Sequence, residues 1–169
     1  MESADLLYPI IFQPICKEKI WGGQKLKELL GKGTQDLSNC GESWEISGVP
    51  GNVSVVANGP LKGKNLNHLI EEYGDHLLGQ YVRTTFGNEF PLLIKFIDAA
   101  DDLSIQVHPD DELARARHNS FGKTEMWYIM QADEGASLIT GFSRKTNRDE
   151  FLQLFEEGRL QELINRESA

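Results

Sequence analysis

Residue types that bind divalent cations occur in two short stretches of this chain, LSIQVHPDD at residues 103–111 and GKTEMWYIM at residues 122–130. In an extended segment side chains alternate, so Leu103, Ile105 and Val107 would share one face, and Ser104, Gln106 and His108 the other. Gln106 and His108 then project together, a geometry that suits two donors on one cation. In the second stretch Glu125, Trp127 and Ile129 share a face that begins with the acid. Pairing the two segments would bring Glu125 beside Gln106 and His108. A carboxylate, an imidazole and an amide oxygen would suit zinc, and manganese or iron less selectively. The plainer alternative leaves Gln106 and His108 on a solvated polar face, with Glu125 at a strand end and Lys123 an ordinary surface neighbour.

The elements that must carry these groups read as strand-rich with helices interposed. LLYPIIFQPI (6–15) is expected to be extended, and QKLKELLG (24–31) a short helix closed by Gly31. GESWEIS (41–47) and GNVSVVANG (51–59) read as two strands around a Pro-Gly turn. The apolar positions Leu66, Leu69, Ile70, Tyr73 and Leu77 form a helical stripe. FPLLIKFID (90–98) is an apolar run of buried-strand length, followed by LSIQVH as a further strand. EMWYIMQA (125–132) and GASLITGF (135–142) are expected to form a hairpin around Asp133 to Gly135. Residues 146–167 read as a final helical region broken near Gly158. Runs of strands with short turns and few helices predict a mainly β fold with helices, a cupin or jelly-roll-like β-sandwich in a single domain over 1–169.

The chain has 169 residues, 40% of them hydrophobic, enough for one domain with a real core. Its formal net charge of -9 argues against a general nucleic-acid or anionic-membrane binder, since such proteins present a basic surplus to phosphate. One small phosphorylated ligand needs only a local cluster of cations. Cys16 and Cys40 lack CxxC spacing and read as reduced thiols. No basic segment precedes the short apolar run near the N-terminus, and no apolar run has membrane-spanning length, so the expected location is cytoplasmic.

LLIKFIDAADDLSIQVHPDD followed by GKTEMWYI resembles the core of the zinc-dependent mannose-6-phosphate isomerases, the type I phosphomannose isomerases of cupin fold. The earlier motifs IWGG and GESWEIS are similar to that family's in the same order, and the shorter bacterial form is the nearest in kind. The resemblance implies that Gln106, His108 and Glu125 are metal ligands for one Zn2+ per chain. It implies that Ser104 and Lys95 line a sugar-phosphate pocket and that Lys123 is a cation near the reacting sugar. It aligns Trp21 and Glu42 with pocket-wall positions, where Trp21 could equally be core and Glu42 could hold its turn. The implied reaction interconverts mannose 6-phosphate and fructose 6-phosphate through an enediolate, by moving a proton between C1 and C2.

The sequence also departs from the family pattern. The family's fourth zinc ligand is a second histidine further along, and His68, His76 and His118 do not match it. The family's catalytic arginine would lie beyond the chain end, which leaves the catalytic group unassigned. The expectation is therefore the N-terminal part of the catalytic domain, with an unclosed barrel and an unpaired sheet edge through which copies could self-associate. The competing reading is a non-catalytic cupin-like module that binds a sugar phosphate or a partner protein.

Overall fold

The computed structural model describes residues 7–33, 37 and 39–169. Contacts divide the chain into two units, Met1–Ile105 and Gln106–Ala169. No helix among the described residues is long and apolar enough to cross a membrane.

The first unit holds β1 (Ile15–Glu18), α1 (Lys25–Glu28), β2 (Cys40–Ser47), α2 (Leu66–Tyr73), α3 (Asp75–Leu78), α4 (Gln80–Phe86) and β3 (Leu93–Ile97). Its sheet is antiparallel, with β2 between β1 and β3. The expected helical stripe is present: Leu66, Leu69, Ile70 and Tyr73 are buried on α2. Asn65 caps that helix by accepting from the His68 N–H at 2.9 Å, and Gly74 ends it at φ +50°. Leu69 and Tyr73 pack with Val56 and Leu61, and Leu7, Tyr8, Ile10, Phe12 and Leu77 cover this cluster. Each such aliphatic side chain contributes about 1.5–3 kcal/mol by leaving water. The Tyr8 hydroxyl closes the cluster's polar edge, donating to Asn58 O at 2.6 Å and accepting from Leu61 N at 3.1 Å.

Two expectations in this unit need correction. Within 51–59 only isolated bridges form, Phe12 with Val56 and Val55 with Asn65; the Ala57 N–H reaches Ile11 O at 2.7 Å and the Val56 N–H reaches Lys64 O at 2.9 Å, but each pairing is too short to extend into a ladder. Of the extended segment expected over 6–15, Leu6 lies outside the described residues; the rest forms no strand before β1, and its pairing is confined to the Phe12 bridge, where the Gln13 N–H reaches Val55 O at 2.8 Å.

The second unit holds α5 (Asp111–His118), β4 (Ser137–Phe142), α6 (Arg148–Glu156), a 3-10 turn (Leu160–Leu163) and β5 (Ile164–Ser168). Asp110 caps α5 through the Leu113 N–H at 2.8 Å, and the acids Asp111 and Glu112 occupy its first turn. Asn147 caps α6 by accepting from the N–H groups of Asp149 and Glu150, both at 3.0 Å. The break near Gly158 is present, but the chain beyond it does not resume an α-helix. Instead β5 pairs antiparallel with β4.

The stretches 103–108 and 125–132 form no strand, so the expected 125–142 hairpin is absent although its turn is made, with Gly135 at φ +82° and Ala136 N–H on Asp133 O at 3.0 Å. Alternation specifies a strand only when a neighbouring strand completes its hydrogen bonds, and the strand that pairs with β4 is β5 rather than 125–132. Ile105 and Val107, expected to pack behind the polar face, are exposed.

Candidate metal and sugar-phosphate site

In the second unit, two of the expected ligands meet. The His108 Nε2–H donates to Glu125 Oε2 at 3.1 Å, and the other carboxylate oxygen of Glu125 takes the Lys123 ammonium at 3.0 Å. The segment between them makes this possible. After Pro109 the chain turns through α5, and the Lys123 N–H returns to Pro109 O at 3.2 Å while the Gly122 N–H reaches Asp111 Oδ1 at 2.8 Å. Gly122 is needed for this closure: a Cβ there would stand 2.5 Å from the Asp110 carbonyl carbon and 2.6 Å from Asp111 N. The 17-residue separation is thus bridged by backbone contacts rather than by strand pairing.

This pair fits a cation. Two donors bound to one zinc ion at about 2.0–2.2 Å in tetrahedral geometry stand a little over 3 Å apart, close to the spacing found here. Both side chains are partly open to solvent, so a cation could replace the shared proton. Gln106 is exposed and takes part in none of these contacts, and Ser104 is exposed as well. Among the described residues no three His, Cys, Asp or Glu side chains converge as a cage, so a third donor must be an amide or come from elsewhere.

In the first unit, Glu42 and Lys95 meet with a residue that the sequence reading passed over. Lys95 lies opposite Trp44 in the sheet register, and Lys17 opposite Glu42, so these side chains project from one face. Glu42 is buried and accepts from the Trp44 indole N–H at 2.8 Å and from the Lys95 ammonium at 3.0 Å; Lys19 stands 3.8 Å away. Lys17 sits over the Trp44 ring, 5.0 Å from its centroid. Burial pushes the Glu42 carboxyl up, but the Trp44 and Lys95 hydrogen bonds and the lysine charges outweigh it and hold the group below the ordinary carboxylate range. Trp21 is half-buried in the turn after β1, and its ring comes within 2.9 Å of where a Cβ on Gly41 would stand. Gly41 therefore lets Trp21 lie against β2 beside Glu42. Trp44 was legible as the i+2 neighbour of Glu42 on the same strand; the signal was the alternation itself.

Residues 10–143 match the family described as phosphomannose isomerase type I, catalytic domain. The chain belongs to this family. It is 40% identical to mannose-6-phosphate isomerase ManA of Bacillus subtilis over 94% of this chain and 48% of that protein, and 38% identical to the probable mannose-6-phosphate isomerase GmuF of the same organism over 95% and 49%. The crystal structure of mannose 6-phosphate isomerase from Bacillus subtilis superposes with a TM-score of 0.85 at 39% identity, covering 96% of this chain and 50% of that one. A mutant of phosphomannose isomerase from Salmonella typhimurium reaches 0.55 at 30% identity, covering 66% and 29%. The chain therefore spans about half the length of the Bacillus relatives it matches. The cupin-like fold of β-sheets with helices is shared with the Bacillus structure, although the helices here hold more residues than the strands, and the two sheets are open among the described residues.

Proposed function

We propose that this chain provides part of the active site of a zinc-dependent aldose–ketose isomerase that interconverts mannose 6-phosphate and fructose 6-phosphate. The observation that carries the reading is the contact of His108 with Glu125, an imidazole and a carboxylate at ligand spacing, in a chain that belongs to the type I phosphomannose isomerases. His108 and Glu125 would hold the metal, with Gln106 as a third donor. When bound, zinc would supply Lewis acidity to the sugar oxygens, easing removal of the carbon-bound proton that separates aldose from ketose.

The chain's own residues have distinct tasks in this reading. Lys95 and Ser104 bind the sugar phosphate, a remote group whose binding energy helps orient the reacting end. Glu42 keeps the Lys95 ammonium in one place, and Trp21 walls the pocket. Lys123 provides positive charge near an enediolate formed between C1 and C2. The family match runs across Ile105, which supports treating the two units as parts of one catalytic domain over 1–169. A cytoplasmic location accords with this metabolic role.

The test has two readouts. Cobalt or zinc titration of the metal-stripped chain should give about one ion per chain, lost in His108→Ala and weakened in Glu125→Gln. In protein that carries this chain together with the rest of the isomerase, fructose 6-phosphate formation should vanish on chelation and return with zinc. Full turnover in metal-free protein would overturn the zinc assignment. Metal binding with no isomerisation in that longer protein would favour the non-catalytic module.

A further inference from the structure

Cys16 and Cys40 take no part in the chemistry above, yet the fold brings them together. In regular alternation Cys40 would share the face of Glu42, away from Cys16. The register shows otherwise: Cys16 pairs with Ser43 and Lys17 with Glu42, but Glu18 pairs with Cys40, so Gly41 is an extra residue in a bulge. Glu18 and Cys16 share a face of β1, and the bulge puts Cys40 on that face too. A Cβ on Gly33 would stand 3.4 Å from Cys16 Sγ and 3.9 Å from Cys40 Cβ, which fixes both side chains around one small volume.

The two thiols differ in access. Cys16 is half-buried and lines an open cavity of about 450 Å³ together with Gln13, Lys32, Val53 and Val55. Cys40 is buried, and its thiol donates to Glu42 O at 3.4 Å. Burial, reinforced by the neighbouring Cys16, pushes the Cys40 thiol up to about 12, so it is protonated at neutral pH. Cys16 is thus the residue that meets a dissolved oxidant first.

We propose that Cys16 and Cys40 are a peroxide-sensitive dithiol that closes into a disulfide between β1 and β2. The oxidant is hydrogen peroxide. Cys16 Sγ, as thiolate, attacks one peroxide oxygen; the O–O bond breaks, the departing hydroxide takes a proton as water, and Cys16 becomes a sulfenic acid. Cys40 Sγ then attacks the Cys16 sulfur; the S–S bond forms, the S–O bond breaks, and the hydroxide leaves with the Cys40 proton as a second water. Two thiols are oxidised by two electrons and one peroxide is reduced.

The experiment uses the purified, reduced 169-residue chain treated with hydrogen peroxide, quenched and denatured; one portion is titrated for free thiols and another is alkylated and digested. Both thiols should disappear from titration with Ellman's reagent, and tryptic peptides 1–17 and 33–62 should appear linked within one chain and separate again with dithiothreitol. In Cys40→Ser the reaction should stop at a Cys16 sulfenic acid that dimedone traps. In Cys16→Ser the buried Cys40 should resist peroxide until the protein is unfolded. Retention of both free thiols, a dimedone adduct in the unsubstituted chain without the link, or linkage only between differently labelled chains would each overturn the proposal. None of these readouts depends on isomerase activity.

Discussion

Glu42 is pulled two ways, by a buried position that disfavours its charge and by an indole N–H and an ammonium that favour it. Because the second effect wins, the folded carboxyl lies below its unfolded value, which is roughly 4.3. Its charge therefore stabilises the fold at pH above that value, and the contribution is lost as pH falls through the lower, folded pKa. Urea unfolding of the unsubstituted chain and of Glu42→Gln, measured between neutral pH and the acid limb, should show their stability difference shrinking as pH falls below about 4. Parallel profiles across that range would deny Glu42 this role. At this scale much was legible. His108 and Glu125 were named from type and spacing and do touch; Lys123, Glu42 and Lys95 were named through the family resemblance, and Lys123 pairs with Glu125 as Lys95 does with Glu42. Gln106 and Ser104 were named as well, but their inward orientation rested on a strand that is not formed.

Gly122 shows how an element sets a site without contributing a functional group. Its missing side chain lets the 122–123 backbone lie on Pro109–Asp111, and that contact returns the chain so that Glu125 reaches His108. Gly122→Ala should force the two backbone segments apart, at a cost of about 1–3 kcal/mol typical of overpacking. Denaturant unfolding would measure that cost. The same variant should bind cobalt more weakly than the unsubstituted chain, although no ligand has been changed. Undiminished binding would place the ligands' spacing under the control of some other contact. The α2 stripe was legible because helical periodicity is a local property, satisfied within the helix's own hydrogen bonds. The segments 103–108 and 125–132 were not, because a strand depends on a partner that local sequence does not identify.

Across the whole molecule, the distribution of apolar surface is uneven. The first unit buries a compact cluster around Leu69, whereas Met126, Trp127, Tyr128, Ile129 and Met130 in the second unit are all exposed, Met126 at 92%. Five consecutive large apolar side chains in water promote association. Sedimentation velocity of the isolated 169-residue chain should therefore show a mass that rises with concentration, and Met126→Lys combined with Tyr128→Lys should lower that rise. A single monomeric species at every concentration would count against it. The chain's net charge of -9 opposes such contacts, so added salt should strengthen them by screening. The unclosed sheets were anticipated from the strands a barrel needs and from the family resemblance, whereas the division near Ile105 had no sign in composition or linker chemistry.

The bulge at Gly41 has a practical corollary for anyone placing probes on this sheet. Odd and even numbering along β2 stops reporting which side a residue occupies once the count crosses position 41. Cys40 and Glu42 are both even, yet one stands with Cys16 and the other with Lys17. A pair of spin labels or a short cross-linker chosen by parity across that point would report the wrong side of the sheet, while pairs chosen wholly within 42–44 would not.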